Sequence, residues 1–100
     1  MRIIALVPDL MDRSRISSAL PDVIFTREAG ACAAADVVVV DLARHEPDLD
    51  AVRAVAPQAR IVAFGPHVER EQLQRARRHG ADVVMARSQF FHDPEAALTI

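Results

Sequence analysis

The sequence predicts an α/β domain: a three-layer α/β/α sandwich with a five-stranded parallel sheet between its helices. Three observations predict it. Short apolar runs rich in β-branched residues recur along the chain, and Val37-Val38-Val39-Val40 reads as a strand buried on both faces. Stretches with helical spacing or helix-start signals lie between these runs. The connections are a few residues long, which suits parallel strands joined by right-handed crossovers with helices on both faces. No internal repeat, low-complexity segment or linker interrupts the pattern, so residues 1–100 read as a single domain.

Each element can be justified in turn. Arg2 to Val7 is an apolar run closed by Pro8-Asp9, the first strand. Asp9 and Asp12 can each cap a following helix whose apolar face is Met11, Ile16, Ala19 and Leu20, and Pro21 stops it. Asp22 to Thr26 is short and β-branched, the second strand. Glu28 to Ala35 is a short alanine-rich helix broken by Gly30, and the valine run ending at Asp41 is the third strand. Glu46-Pro47-Asp48 opens a helix, since proline suits the first turn and acids favour its positive end. Leu49, Val52 and Val55 or Ala56 supply its buried side, and Pro57 ends it.

Arg60 to Phe64 is the fourth strand, ended by Gly65-Pro66. A helix follows from Glu69 to His79 with Leu73 and Ala76 inward and Gly80 as C-terminal cap. Asp82 to Ala86 is the fifth strand. After Arg87-Ser88 and the pair Phe90-Phe91, Asp93 to Leu98 is long enough for two turns, so the last helix is expected to be shortened.

Composition excludes several classes. Half the residues are apolar (51%), yet the aromatics are four phenylalanines, so aliphatic residues must build the core. A net charge of -2 gives no sign of a nucleic-acid binder. The longest apolar run, Ala29 to Ala35, has seven residues, far below the roughly 18 needed to span a bilayer. The apolar stretch before Pro8 is too short for a signal-peptide core. With Cys32 alone, no internal disulfide can form. These features lead us to expect a cytoplasmic protein with no membrane partner.

Asp41 is the first place to look for function, because open α/β sheets gather ligands and chemistry at the carboxyl ends of their strands. Taken in order, Val7-Pro8-Asp9, Val40-Asp41 and Gly80-Ala81-Asp82-Val83-Val84-Met85-Ala86-Arg87 resemble the response-regulator receiver domain of two-component signalling. The resemblance covers residues 1–91 and implies the CheY-like, flavodoxin-like strand order 2-1-3-4-5. It also implies roles. An acidic pair after strand one and the aspartate after strand three hold magnesium, and that last aspartate accepts a phosphoryl group. A Ser or Thr after strand four and a Lys after strand five bind the transferred oxygens. Phosphoryl transfer is mainly positioning and charge neutralisation, which is why these residue types serve it.

Carried over by position, Asp41 matches the phosphoacceptor and Asp9 the second acid, but Pro8 stands at the first acid. Gly65 replaces the hydroxyl residue, Arg87 replaces the lysine, and Ser88 replaces the proline that usually follows. A planar fork of donors is not equivalent to a point charge. The chain thus looks like a degenerate, or pseudo-, receiver. Magnesium, if bound, would take Asp9, Asp41 and the Ala43 carbonyl. The competing expectation is that Arg87 lies between Asp9 and Asp41 and neutralises both through bidentate hydrogen bonds.

Other features carry less. Gly65-Pro66-His67 is an ordinary turn signal, and His45, His67, His79 and His92 form no metal-site spacing. The basic helix containing Arg70, Arg75, Arg77 and Arg78 reads as a solvated face. A short last helix leaves Phe90, Phe91, Leu98 and Ile100 as a candidate interface for a protein partner or a second copy in a homodimer. The leading expectation is a non-catalytic, receiver-like signalling module acting through protein contacts, with no cofactor. One alternative is a magnesium-dependent phosphoacceptor using Asp41. The other is a small-ligand binder at the strand-end crevice formed by Asp9, Asp41, Gly65 and Arg87, although no G-x-G-x-x-G or P-loop motif accompanies it.

Overall fold

The computed structural model describes residues 1–66 and 69–100. Its sheet comprises β1 (Ile3–Leu6), β2 (Ile24–Phe25), β3 (Val37–Asp41), β4 (Arg60–Gly65) and β5 (Val83–Ala86). They lie in the order β2-β1-β3-β4-β5, every pairing parallel. Both the α/β class and the strand order are as the sequence and its resemblance imply.

Alternation along the strands sorts the core into two layers, because successive side chains leave opposite faces. On one face Ile4, Leu6, Val38, Val40, Ile61 and Ala63 pack with Leu49 and Val52 of α3 (Leu49–Val55) and Ala76 of α4 (Arg70–Arg78). On the other, Ala5, Val7, Val39, Val62 and Phe64 pack with Ile16 of α1 (Leu10–Ala19) and with the C-terminal segment. The β3 residues Val38, Val39 and Val40 are fully buried because helices cover both of its faces.

Several boundaries move, each for a local reason. The expected first strand contracts to Ile3–Leu6 and the second to two residues at the sheet edge. Met11 does not join the inner face of α1: it is 77% exposed, while Ile16 and Leu20 face inward. The alanine-rich stretch makes only a 3₁₀ turn at Ala29–Cys32, which seats Cys32 in the core. Burial pushes that thiol up from its ordinary pKa. Asp41 is followed at once by a single helical turn, α2 (Leu42–His45), which the sequence reading did not place. Glu46-Pro47-Asp48 forms a 3₁₀ turn before α3, and Ala56, not Val55, is the buried residue at its end. Gly80 takes φ 114°, as expected of a C-terminal cap, and a Cβ there would lie 2.9 Å from that of Arg53. His67 lies outside the described residues.

The largest correction is at the C-terminus. The chain after β5 makes α5 (Arg87–His92) and then α6 (Pro94–Ala97), capped by Asp93, whose carboxylate accepts from the Ala96 amide. Phe90 is fully buried and stacks on Phe64 with centroids 4.8 Å apart. Leu98 and Ala97 are also buried. Phe90 and Leu98 are therefore core residues that close the sheet face, and neither is available to an interface. Burying a large apolar side chain is worth about 1.5–3 kcal/mol, and this is what draws so short a segment onto the sheet. Of the four residues expected at an interface, Ile100 stays 59% exposed and Phe91 is half-buried.

Candidate functional site at the strand ends

The carboxyl ends of β1, β3 and β5 open into a cleft of about 490 Å³ lined by Pro8, Asp9, Asp12, Asp41, Ala43, Arg44 and Arg87. Topology alone explains the gathering. In a parallel sheet of this order, the segments leaving β1 and β3 diverge at the switch point between the two strands.

Asp9 is the N-cap of α1. It is exposed, and its Oδ1 accepts from the Asp12 amide at 2.9 Å, satisfying one of the free donors of the first turn. Arg13 holds the preceding turn by donating from Nε to the Val7 carbonyl at 2.7 Å. Asp41, only 5% exposed, caps α2 in the same manner, its Oδ1 accepting from the Ala43 amide at 3.0 Å. Burial raises the Asp41 pKa above the usual carboxylate value, with the nearby Asp12 carboxylate adding to the rise. The Ala43 amide, Arg87 and His45 pull it the other way.

Arg87 binds neither of its expected partners. Its Nη2 donates to Asp12 Oδ1 at 2.6 Å and its Nη1 to Asp12 Oδ2 at 3.1 Å, a bidentate pair. The expectation that it bridges Asp9 and Asp41 is therefore corrected, and the reason is helical geometry. Asp12, Ile16 and Leu20 lie on the inward stripe of α1, so Asp12 is carried to 4% exposure beneath the cleft while Asp9 faces water. A carboxylate taken so far from water requires a partner, and the first residue of α5 supplies it. The pair raises the Arg87 pKa above its ordinary value. Its guanidinium also lies 5.0 Å from the Phe91 ring centroid and 5.9 Å from that of Phe64. The i, i+4, i+8 spacing of Asp12, Ile16 and Leu20 was the sequence signal for this pairing.

Gly65, at the end of β4, is buried and does not line the cleft among the described residues. A Cβ there would come within 3.3 Å of the Gln72 side chain, whose amide reaches back to Glu46 at 3.4 Å. Glu46 is also held by Arg75 at 2.6 and 3.1 Å, and these hydrogen bonds lower its pKa below the usual carboxylate value. A polar tie thus runs from the turn after Asp41 to α4.

The fold class implies a divalent cation here, and the donor set does not fit one well. Asp9 and Asp41 each commit an oxygen to a helix-capping amide, and Asp12 is chelated by Arg87. Among the described residues no three acidic, histidine or cysteine side chains are grouped to hold a metal. The sequence contains no lysine, so Arg87 is the basic group that this end of β5 can offer.

No protein-family model matches this sequence, and no curated protein does. Solved structures do. A response regulator from Burkholderia pseudomallei, with a phosphorylated aspartic acid, calcium ion and citrate, superposes with TM-score 0.84 at 16% identity. The match covers 97% of this chain and 65% of that one, so the present chain spans just under two thirds of its length. A response regulator from Thermotoga maritima aligns with TM-score 0.75 at 15% identity, over 99% of this chain and 98% of its own. A putative pilus assembly-related protein from Burkholderia pseudomallei aligns with TM-score 0.74 at 14% identity, over 99% and 90%. The chain has the CheY-like fold of receiver domains, and likeness at this identity shows the fold alone.

Proposed function

We propose that this domain is a pseudo-receiver: a non-catalytic signalling module that acts through protein contacts without phosphorylation of Asp41. The observation carrying this reading is the Asp12–Arg87 pair. Arg87, the residue at the position of the family's lysine, already has both terminal nitrogens on a buried carboxylate, although Arg44 also lines the cleft. Pro8 and Gly65 withhold the acid and the hydroxyl that the transfer would use. Receiver-like architecture also occurs in the pilus assembly-related relative, which supports a role for such domains outside response regulators. The partner is another protein or a second copy of this chain.

A phosphoacceptor remains the second reading, because Asp41 is retained at the end of β3 beside an open cleft. Incubation with acetyl phosphate and magnesium, followed by intact-mass measurement, separates the two. The expected result is no phosphoryl adduct, and amide resonances of Asp9, Asp41 and Ala43 that stay in place when magnesium and then beryllofluoride are added. A phosphoryl adduct that disappears in Asp41→Asn would replace the proposal with the phosphoacceptor. Light scattering on the same sample decides between self-association and a different partner.

A further inference from the structure

We propose a binding site for a phosphate-class oxyanion in the recess between α1 and α5, separate from the Asp41 cleft and formed by Arg15, Ser88 and His92 around the ring of Phe91. The recess has a volume of about 380 Å³ and is lined by Arg15, Arg87, Ser88, Phe91 and His92. Among the described residues it shares Arg87 alone with the cleft at the strand ends.

Arg15 is the principal ligand. It is exposed on α1, yet its guanidinium rests 4.5 Å from the Phe91 centroid. Phe91 is in turn fixed edge-on to Phe64 and Phe90, at 5.3 and 5.1 Å. The ring thus holds the guanidinium by a cation–π contact that spends no hydrogen bond, which lowers the ordering cost of binding. Among the described residues Arg15, Ser88 and His92 make no side-chain hydrogen bond or ion pair, so their polar atoms are free. Ser88 and His92 are four apart on α5 and therefore on one side of it.

Charge selects the ligand. Arg87 is neutralised by Asp12 behind it, so the recess keeps the positive charge of Arg15, and no carboxylate lines it among the described residues. Donors on two helices lining one recess suit a tetrahedral oxyanion with many acceptor oxygens, and guanidinium is the side chain best matched to it.

The test is an amide NMR titration of the intact chain with inorganic phosphate, with chloride holding ionic strength constant to remove screening effects. The expected result is saturable shifts at Arg15, Ser88 and His92. Arg15→Gln, on an exposed helix surface, should weaken binding about tenfold, the scale of one charge-assisted hydrogen bond. Ser88→Ala should weaken it less, and Arg70→Gln on α4 should leave it unchanged. O-phosphoserine is the second probe. Binding tighter than phosphate assigns the group to a phosphorylated protein segment, and equal binding assigns it to a free small anion. Shifts that never saturate, that centre on α4, or that keep the wild-type affinity in Arg15→Gln overturn the site.

Discussion

Two arginines at opposite ends of the sheet do different work, and the contrast separates scaffold from site. At the amino end, Arg53 of α3 donates through Nη1 to the carbonyls of Ala56, Pro57 and Ala59. Through Nη2 it donates to the Gly80 carbonyl and the Asp82 carboxylate, each within 2.8 Å. Asp82 also accepts from the Ile61 amide at 2.8 Å, so one guanidinium ties the end of α3, the turn into β4 and the turn into β5. At the carboxyl end Arg87 has one hydrogen-bonding partner, Asp12, while Asp9 and Asp41 line the same cleft without binding it. The clefts beside the two arginines are nearly equal, about 510 and 490 Å³. Size does not distinguish them. The first is a seam in which Arg53 is spent on the fold, although the buried Nε of Arg60 beside it has no hydrogen-bond partner; the second keeps carboxylate oxygens unspent.

The sharpest way to test that contrast is Arg53→Met. Four carbonyls and a carboxylate lose a shared donor, and although water recovers some of them, the expected loss is about 3 kcal/mol in a urea melt. A loss near zero would mean that the amino end is as open as the carboxyl end.

Arg87→Met should cost less, about 2 kcal/mol, because it strands one buried carboxylate, and the departing side chain, 38% exposed, leaves an opening through which cleft water can reach it. In a double-mutant cycle with Asp12→Asn the two residues should couple by about 1 kcal/mol. Additive losses would show that the bidentate pair contributes nothing of its own to stability. A cost equal to that of Arg53→Met would make Arg87 a scaffold residue like its counterpart.

The same contrast explains what the sequence could show. Strand alternation, proline and glycine stops and the valine run made the layers legible, because burial on both faces of a parallel sheet leaves a dense apolar signature at residues 37–40. The strand ends pointed to Asp41, the receiver resemblance grouped Asp9 and Arg87 with it, and all three line one cleft. Which carboxylate Arg87 takes could not be read from strand ends, since it depends on the rotation of α1, a property of the whole helix. The C-terminal segment misled for a related reason. Only the three-dimensional fit of Phe90 onto Phe64 shows that the short segment from Arg87 to Leu98 suffices to close the sheet face.

The smallest effect is the most telling about Asp41. Burial raises its pKa, so between the unfolded value near 3.8 and its higher folded value the native state binds more protons than the unfolded chain. Stability from this group is therefore fully present below the unfolded pKa and is lost as pH rises through the folded one. Glu46, lowered by Arg75, runs the opposite way, its stabilisation present above its unfolded pKa and lost as pH falls through the folded one. The wild-type curve mixes the two, but the difference between wild type and Asp41→Asn isolates Asp41. Asparagine keeps an oxygen for the Ala43 amide while removing the buried charge. Asp41→Asn should therefore be the more stable protein at pH 7, with the gap closing as acid protonates the wild-type carboxyl. A less stable Asp41→Asn at pH 7 would mean that the charge is held by its neighbours as firmly as Asp82 is held by Arg53, and the carboxyl end would then be a second clamp.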